Sequence, residues 1–419
     1  MYVGLRIWIT AGLLVLLPAG SAFASTHRSH RSHRSSSWAL PQIRVVTGAG
    51  LMGTKSPVTF RPSAKLTDQA LATLVFDLQQ LLAPPAPPPP VAPPPPLPDT
   101  TTTTTDPTQT TTDPTTTTDP TQTTTDPVTT TDPVTTTTTV AEPPPPAPPA
   151  HPPKVPHGAA AATMTMLDAQ FVDGVGLDAA ATAFARGARA AGLDVPGRFG
   201  TEVVARLLGL RIDHPASEDS LELLPDDPAT RAEAAYSAAQ LLHSSGWLVP
   251  VVQGLSDTFS LPQYSTWQRR ILDTAVARIG MPYVWGGTSD GPEVDFGVAA
   301  RGGYDCSGFV WRVYKLTPYP NEGDLASTLR GRTTYVMSGE VPHSELINFA
   351  HLQPADVLFF GPRGPQSDPS QVDHMAIYLG NGWFIQSSDY GVAVAQLTGY
   401  YRHEFAWARR PLREAGLSG

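Results

Sequence analysis

Between Ala83 and His157 the chain cannot build a hydrophobic core. Proline blocks flank a threonine-rich middle with repeated Asp-Pro pairs, Asp106-Pro107 and Asp113-Pro114 among them. Proline and β-branched threonine favour extended, solvated backbone, and almost no apolar side chain is present to bury. Residues 84–157 are therefore expected to be a disordered linker. Fully extended at ~3.1 Å per residue, it would reach on the order of 200 Å, a length suited to work across a thick wall. The composition is also that of O-glycosylated stalks. Any fold must be made from what lies on either side.

The N-terminus reads as a secretory signal over residues 1–24. Arg6 supplies the positive region, Ile7 to Leu17 the apolar stretch, and Ala22-Phe23-Ala24 a small-x-small cleavage site. An uncleaved anchor is the competing reading, but the run is short for a span of about 20 residues. Residues 25–39 repeat a His-Arg-Ser pattern and read as a basic tether. No later segment is long and apolar enough for a membrane span. The formal charge of -9 argues against nucleic acid and anionic lipid as partners.

Two stretches beside the linker look helical. Residues 40–83 contain an amphipathic helix, Asp68 to Leu82, with Thr67 as N-cap. Residues 158–255 contain helices over Asp178 to Ala191, ended by Gly192, and over Thr201 to Leu210. A third opens at Thr230-Arg231-Ala232-Glu233, with Thr230 as N-cap and Glu233 at the capping-box position. Leu223 to Thr230 can be laid over Phe60 to Thr67, since both run from a proline-containing turn to threonine and a helix. With Thr230 to Glu233, this resembles the S-layer homology repeat, a helical wall-anchoring module. The resemblance implies a secondary cell-wall polymer as partner; the competing reading is an unrelated helical domain with ordinary capping.

From Ser265 the pattern turns mixed. A helix over Trp267 to Ile279 leads into a turn, a loop and a second helix near Cys306. Strands follow at Asp356 to Phe360, His374 to Leu379, Trp383 to Ser387, Val392 to Gln396 and Glu404 to Arg409, with Gly380-Asn381-Gly382 as a hairpin connection. Helices first and an antiparallel meander afterwards indicate an α+β domain over residues 265–412.

Cys306 is the only cysteine in 419 residues. An exported chain cannot use it for an internal disulfide. The bland reading is a buried, inert thiol. Its place at a helix N-terminus instead favours a thiolate nucleophile. A nucleophile needs a base, and the base an orienting group. Of 11 histidines, His374 opens an apolar strand that would hold its ring rigidly. Gln386 lies on the paired strand, at the matching end of the hairpin in a simple register. Its amide can fix the imidazole tautomer without adding charge.

Pro282-Tyr283-Val284-Trp285-Gly286-Gly287, then Asp305-Cys306-Ser307-Gly308, then His374 to Gly380, then Gln386, resemble the NlpC/P60 cysteine peptidases in residues and order. The resemblance covers residues 265–412. It implies a papain-like fold with Cys306 as nucleophile, His374 as general base and Gln386 as the imidazole-orienting residue. It also implies Tyr283 beside the nucleophile, Asp305 and Ser307 shaping the substrate pocket, and no metal or cofactor. The implied substrate is the peptide stem of peptidoglycan, cut between D-glutamate and a diamino acid by a secreted, wall-associated enzyme. The alternatives are a wall amidase or acyl-transferring relative on the same fold, and a wall-binding scaffold with a spent site.

Two features depart from the family pattern. Its third residue is often His, whereas Gln386 cannot carry charge. The Thr288 to Gly303 loop is long, and is either a solvated insertion or part of the substrate cleft.

Overall fold

The computed structural model describes residues 37–53, 59–83 and 151–417 except 153 and 157. The signal expected at 1–24, nearly all of the tether at 25–39 and the linker through residue 150 lie outside the described residues.

Residues 37–83 fold together with residues that follow the linker. Helices α1 (Leu40–Gly48) and α2 (Asp68–Leu82) pack with α3 (Met164–Gly174), α4 (Asp178–Ala190), α5 (Phe199–Leu207) and α6 (Arg231–Thr258). Helices α2, α3 and α6 start with the same device. Thr67, Thr163 and Thr230 are extended, and each hydroxyl accepts the backbone N–H three residues on, from Ala70, Met166 and Glu233 at 3.2 Å.

The residues just before these threonines close a ring. Leu66 N–H donates to the Ala229 carbonyl at 2.8 Å, Ala229 to Ala162 at 2.8 Å, and Ala162 back to Leu66 at 2.9 Å. All three residues are buried. Buried backbone groups must find partners, and here each prong satisfies the next about a local threefold.

The sequence shows two of these prongs. The third, Ala159 to Thr163, does not align with them, because the nearest proline before it, Pro156, stands farther from Thr163 than Pro62 and Pro225 do from Thr67 and Thr230. The ring also makes the two helical segments, read separately from sequence, one body. Ile43, Phe60 and Leu71 from before the linker share a core with Phe171, Ala235 and Leu241 from after it. Arg231 strengthens the join: its guanidinium lies 4.6 Å over the Phe60 ring and donates to the Phe60 and Met52 carbonyls at 2.9 and 3.1 Å. Glu233 donates its N–H to the cap as expected, while its side chain turns inward toward Arg211 and His214.

Helix α7 (Thr266–Val276) opens the second half with a full capping box between Ser265 and Gln268. The 288–303 insertion folds as two small antiparallel ladders. Strand β1 (Thr288–Ser289) pairs with β4 (Gly303–Tyr304), and β2 (Glu293–Asp295) with β3 (Val298–Ala300). Helix α8 (Cys306–Trp311) follows and runs on into a π-helical turn, Arg312–Leu316.

The last layer is a five-stranded antiparallel sheet ordered β8-β7-β6-β5-β9. Its strands are β5 (Val357–Phe360), β6 (His374–Gly380), β7 (Trp383–Ser388), β8 (Gly391–Gln396) and β9 (Phe405–Arg409). Side chains alternate between faces along each strand. Met375, Ile377 and Leu379 join the core under α8 with Phe309 and Val310. Ala376 and Tyr378 join a second cluster with Phe360, Phe384 and Phe405. Covering both faces explains why β6 is apolar at nearly every position. The α+β, papain-like arrangement of a cysteine helix against a sheet is as expected.

The helical body and the sheet domain share that first core without a break. Phe259, after α6, lies 4.9 Å from Phe184 and 5.0 Å from Trp383, ring centre to ring centre. Arg198 and Arg206 donate to the carbonyls of Ile279 and Gly280 at 3.0 and 3.1 Å. Arg206 and Arg211 are held in turn by buried Asp168 at 3.3 and 3.1 Å. No described helix is long and apolar enough to cross a membrane.

Because the Thr163 cap supports one prong of the ring, Thr163→Ala should destabilise the whole protein by about 1 kcal/mol. Calorimetry should show one transition moving down. Loss confined to a separate small transition would contradict a shared core.

Candidate active site

The site is assembled around the start of α8. Asp305, the N-cap, is extended and takes the Gly308 N–H on its side chain. Gly308 has no alternative side chain, since a Cβ there would meet the Gly287 carbonyl oxygen at 1.9 Å. The same Asp305 carboxylate accepts from Gly286 N–H at 3.1 Å, Ser307 Oγ at 2.8 Å and Arg332 Nη1 at 3.2 Å. Arg332 also donates to Ser307 Oγ and to the Gly286 carbonyl, both at 2.6 Å. The polar atoms of Asp305 and Ser307 are thus engaged with one another and with Arg332. They brace the turn before the nucleophile.

Cys306 is the first residue of α8, as the sequence predicts, and is buried. Its sulfur lies 3.9 Å from Thr334 Oγ1 and is approached by the N–H groups of Ser307 and of Met375 in β6. Met375 follows His374 in β6, and the His374 ring lies 5.6 Å from that of Phe360, centre to centre. His374 Nε2 lies 2.6 Å from Gln386 Oε1, and Gln386 Nε2 donates to the Tyr401 hydroxyl at 2.7 Å. With the amide oxygen as acceptor, Nε2 carries the imidazole proton, leaving Nδ1 as the basic nitrogen.

The pairing differs from a simple register. A shift between Tyr378 and Gly380 places Ile377 opposite Ile385. Extending that ladder sets Gln386 opposite Ala376, so His374 and Gln386 meet on a diagonal of one sheet face. Such neighbours lie within reach of long side chains.

One expectation is overturned. A helix N-terminus was expected to favour the thiolate, but burial pushes the Cys306 thiol up to about 12, and the Asp305 charge adds to this. Hydrogen bonds from Thr334 and the Met375 and Ser307 amides oppose it only in part. Burial also pushes His374 down to about 4 against the Gln386 hydrogen bond. Helix α8 is six residues long and ends in a π turn, so little macrodipole stands against the loss of water. The resting pair is a neutral thiol and a neutral imidazole.

Tyr283 lies close to Cys306 and Asp305, and its hydroxyl is pushed well above its usual range, first by burial and then by these charges. Its backbone pairs with Tyr304. The helical body brings an acidic edge to this place. Asp213 neighbours Tyr283, Glu222, Asp389 and Asp219, and burial pushes its carboxyl up to about 9. Asp219 accepts the Trp285 N–H at 3.1 Å.

Arg332, Thr334 and Tyr401 were missed from the sequence. They sit in short helices or irregular segments with no periodic or motif signal, and only tertiary packing brings them to the site.

Residues 280–410 match the NlpC/P60 family. They form an NlpC/P60 domain. The chain is 32% identical over 127 residues to "Peptidoglycan endopeptidase RipA" of Mycobacterium tuberculosis, covering 30% of this chain and 23% of that protein. It is 32% identical over 148 residues to "Murein DD-endopeptidase MepH" of Escherichia coli, covering 33% and 44%. The chain therefore spans less than half the length of these curated relatives. A solved NlpC/P60 family protein from Bacillus cereus is 26% identical, covering 36% of this chain and 42% of that one, with a TM-score of 0.27. Both of these curated relatives are named as endopeptidases of peptidoglycan or murein.

A neutral thiol should alkylate slowly. Iodoacetamide labelling of Cys306 should keep accelerating well above about pH 8, the ordinary thiol range. A rate already at plateau below that pH would mean a resting thiolate.

Proposed function

We propose that this chain is a secreted cysteine peptidase that cuts the peptide stems of peptidoglycan. The observation that carries the reading is the Cys306 sulfur against the His374-Met375 backbone, with His374 oriented by Gln386 at 2.6 Å. Because both partners rest neutral, the Cys306 proton passes to His374 as the sulfur attacks the peptide carbonyl. The imidazolium then protonates the leaving amine, and water hydrolyses the thioester. Backbone N–H groups at the start of α8 stabilise the oxyanion, and the Tyr283 hydroxyl borders the same space.

Resemblance to the family points to the bond between D-glutamate and a diamino acid. The Escherichia coli relative is named for a different, DD bond, so muropeptide mass spectra are the deciding measurement. New ends within the stem support an endopeptidase, whereas release of whole stems would indicate an amidase. The intact Cys306, His374 and Gln386 set speaks against a spent scaffold. Cys306→Ala should abolish release of soluble peptide from purified sacculi while leaving the melting temperature nearly unchanged. Equal release by both proteins would remove Cys306 as nucleophile.

The helical body is the wall-holding part in this reading, through a secondary cell-wall polymer. Its three-pronged ring and threonine-capped helices support a repeat module of the S-layer homology kind. Since that body needs residues on both sides of the linker, the whole chain is the right reagent. The Cys306→Ala protein should sediment with walls, and lose most of that binding after acid extraction of wall polymers. Unchanged binding to extracted walls would refute a polymer anchor.

A further inference from the structure

The 288–303 insertion ends in a tip whose sequence fits its turn badly. Asp295 pairs with Val298, leaving a two-residue turn of Phe296 and Gly297. Both have positive φ, +50° and +86°, the geometry of a tight hairpin turn that prefers Asn, Asp or Gly first. A bulky residue in the left-handed region is a strained outlier. Burial of the ring does not offset that strain, because Phe296 is 84% exposed. Val294, two residues earlier, is 69% exposed, and Trp285 is 55% exposed.

These side chains are tied to the nucleophile. The Phe296 ring lies over Gly286, where a Cβ would come within 2.5 Å of its edge. Gly286 follows Trp285, donates its N–H to Asp305 and gives its carbonyl to Arg332. The aromatic tip is therefore fixed on the same Asp305 node that caps the Cys306 helix.

The charges around it select the ligand. Glu293 is held by the Thr288 and Ser289 amides at 3.0 and 3.2 Å. Arg278 and Arg312 are both taken by Asp290, and Arg332 by Asp305. The insertion thus offers the Phe296 ring near Glu293 and Asp295, with its own Arg301 held by Asp227 at 3.2 Å and its neighbouring arginines paired as well. An anionic polymer would be repelled there, whereas a neutral pyranose can lay its C–H face on an aromatic ring and turn its hydroxyls to acceptors.

We infer that Phe296, with Trp285 and Val294, is a platform for the sugar that bears the stem peptide being cut, so that the enzyme prefers glycan-linked stems to free peptides. The inference rests on the peptidoglycan reading above and adds the part of the substrate that lies outside the catalytic cleft.

The test compares a soluble disaccharide-tetrapeptide with the same tetrapeptide lacking sugar. Phe296→Asn keeps the left-handed turn and removes the ring, so its melting temperature should hold or rise. The ratio of kcat/KM for the sugar-linked over the sugar-free substrate should fall about tenfold relative to the unaltered protein. An unchanged ratio, or equal loss on both substrates, would overturn the platform. Calorimetric binding of the two substrates to the Cys306→Ala protein separates the failures. Preference for the sugar-linked one, abolished by adding Phe296→Asn, supports the platform even if the unaltered protein cuts neither, in which case the hydrolase reading falls alone. Equal binding of both substrates overturns the platform whatever is cut.

Discussion

The Asp305 carboxylate is the point on which the catalytic half depends. One side chain caps α8, fixes the Gly286 amide, orders Ser307 and anchors Arg332. Without it the Gly308 and Gly286 amides would be partly buried donors without the partner they have here, and such donors are expensive to leave unmade. The arrangement therefore sets where Cys306 begins its helix, where the Trp285-Gly286 turn lies and where the aromatic tip of the insertion rests. The same charge carries an opposing effect on chemistry, since it sits beside the thiol and disfavours its ionisation. Positioning of the nucleophile and its electrostatic activation are in tension, and positioning prevails in the resting protein.

The helical body works by a different constraint. Three buried backbone segments have no sheet to join, so each pairs with the next in a ring. The ring requires residues from both sides of the linker, which makes the tract from residue 84 to 150 an insertion within one folded body rather than a spacer between two. The helical body and the sheet domain then meet through a continuous apolar core and through arginines reaching to the 277–280 backbone. Asp213 and Asp219 come to border Tyr283 and Trp285 as a result. Two halves joined in this way share their stability, and the acidic edge of the helical body becomes part of the surroundings of the sheet domain.

Much of this was readable because it is local. Short strand-like stretches marked all five strands of the main sheet to within a residue or two. Threonine before apolar periodicity marked the helix starts at Asp68 and Arg231, and Cys306 and His374 stand at the starts of the elements expected to carry them. What escaped has no local signature. Ala162 looks like any alanine in a flexible lead-in until Leu66 and Ala229 are beside it. Arg332, Thr334 and Tyr401 reach the site from poorly patterned segments because distant packing carries them there.

The sequence by itself determined the main element types and the order of Cys306, His374 and Gln386 along them, since each follows from spacing, capping and composition along a short stretch. Tertiary structure alone decided three things. It merged the two helical segments into one body, because backbone hydrogen bonds must be completed across the linker. It set His374 and Gln386 on a diagonal, because a shifted hairpin changed the ladder. It reversed the expected ionisation of Cys306, because a helix terminus favours a thiolate only while water or a long helix supports the charge, and packing removed the first while chain geometry limited the second.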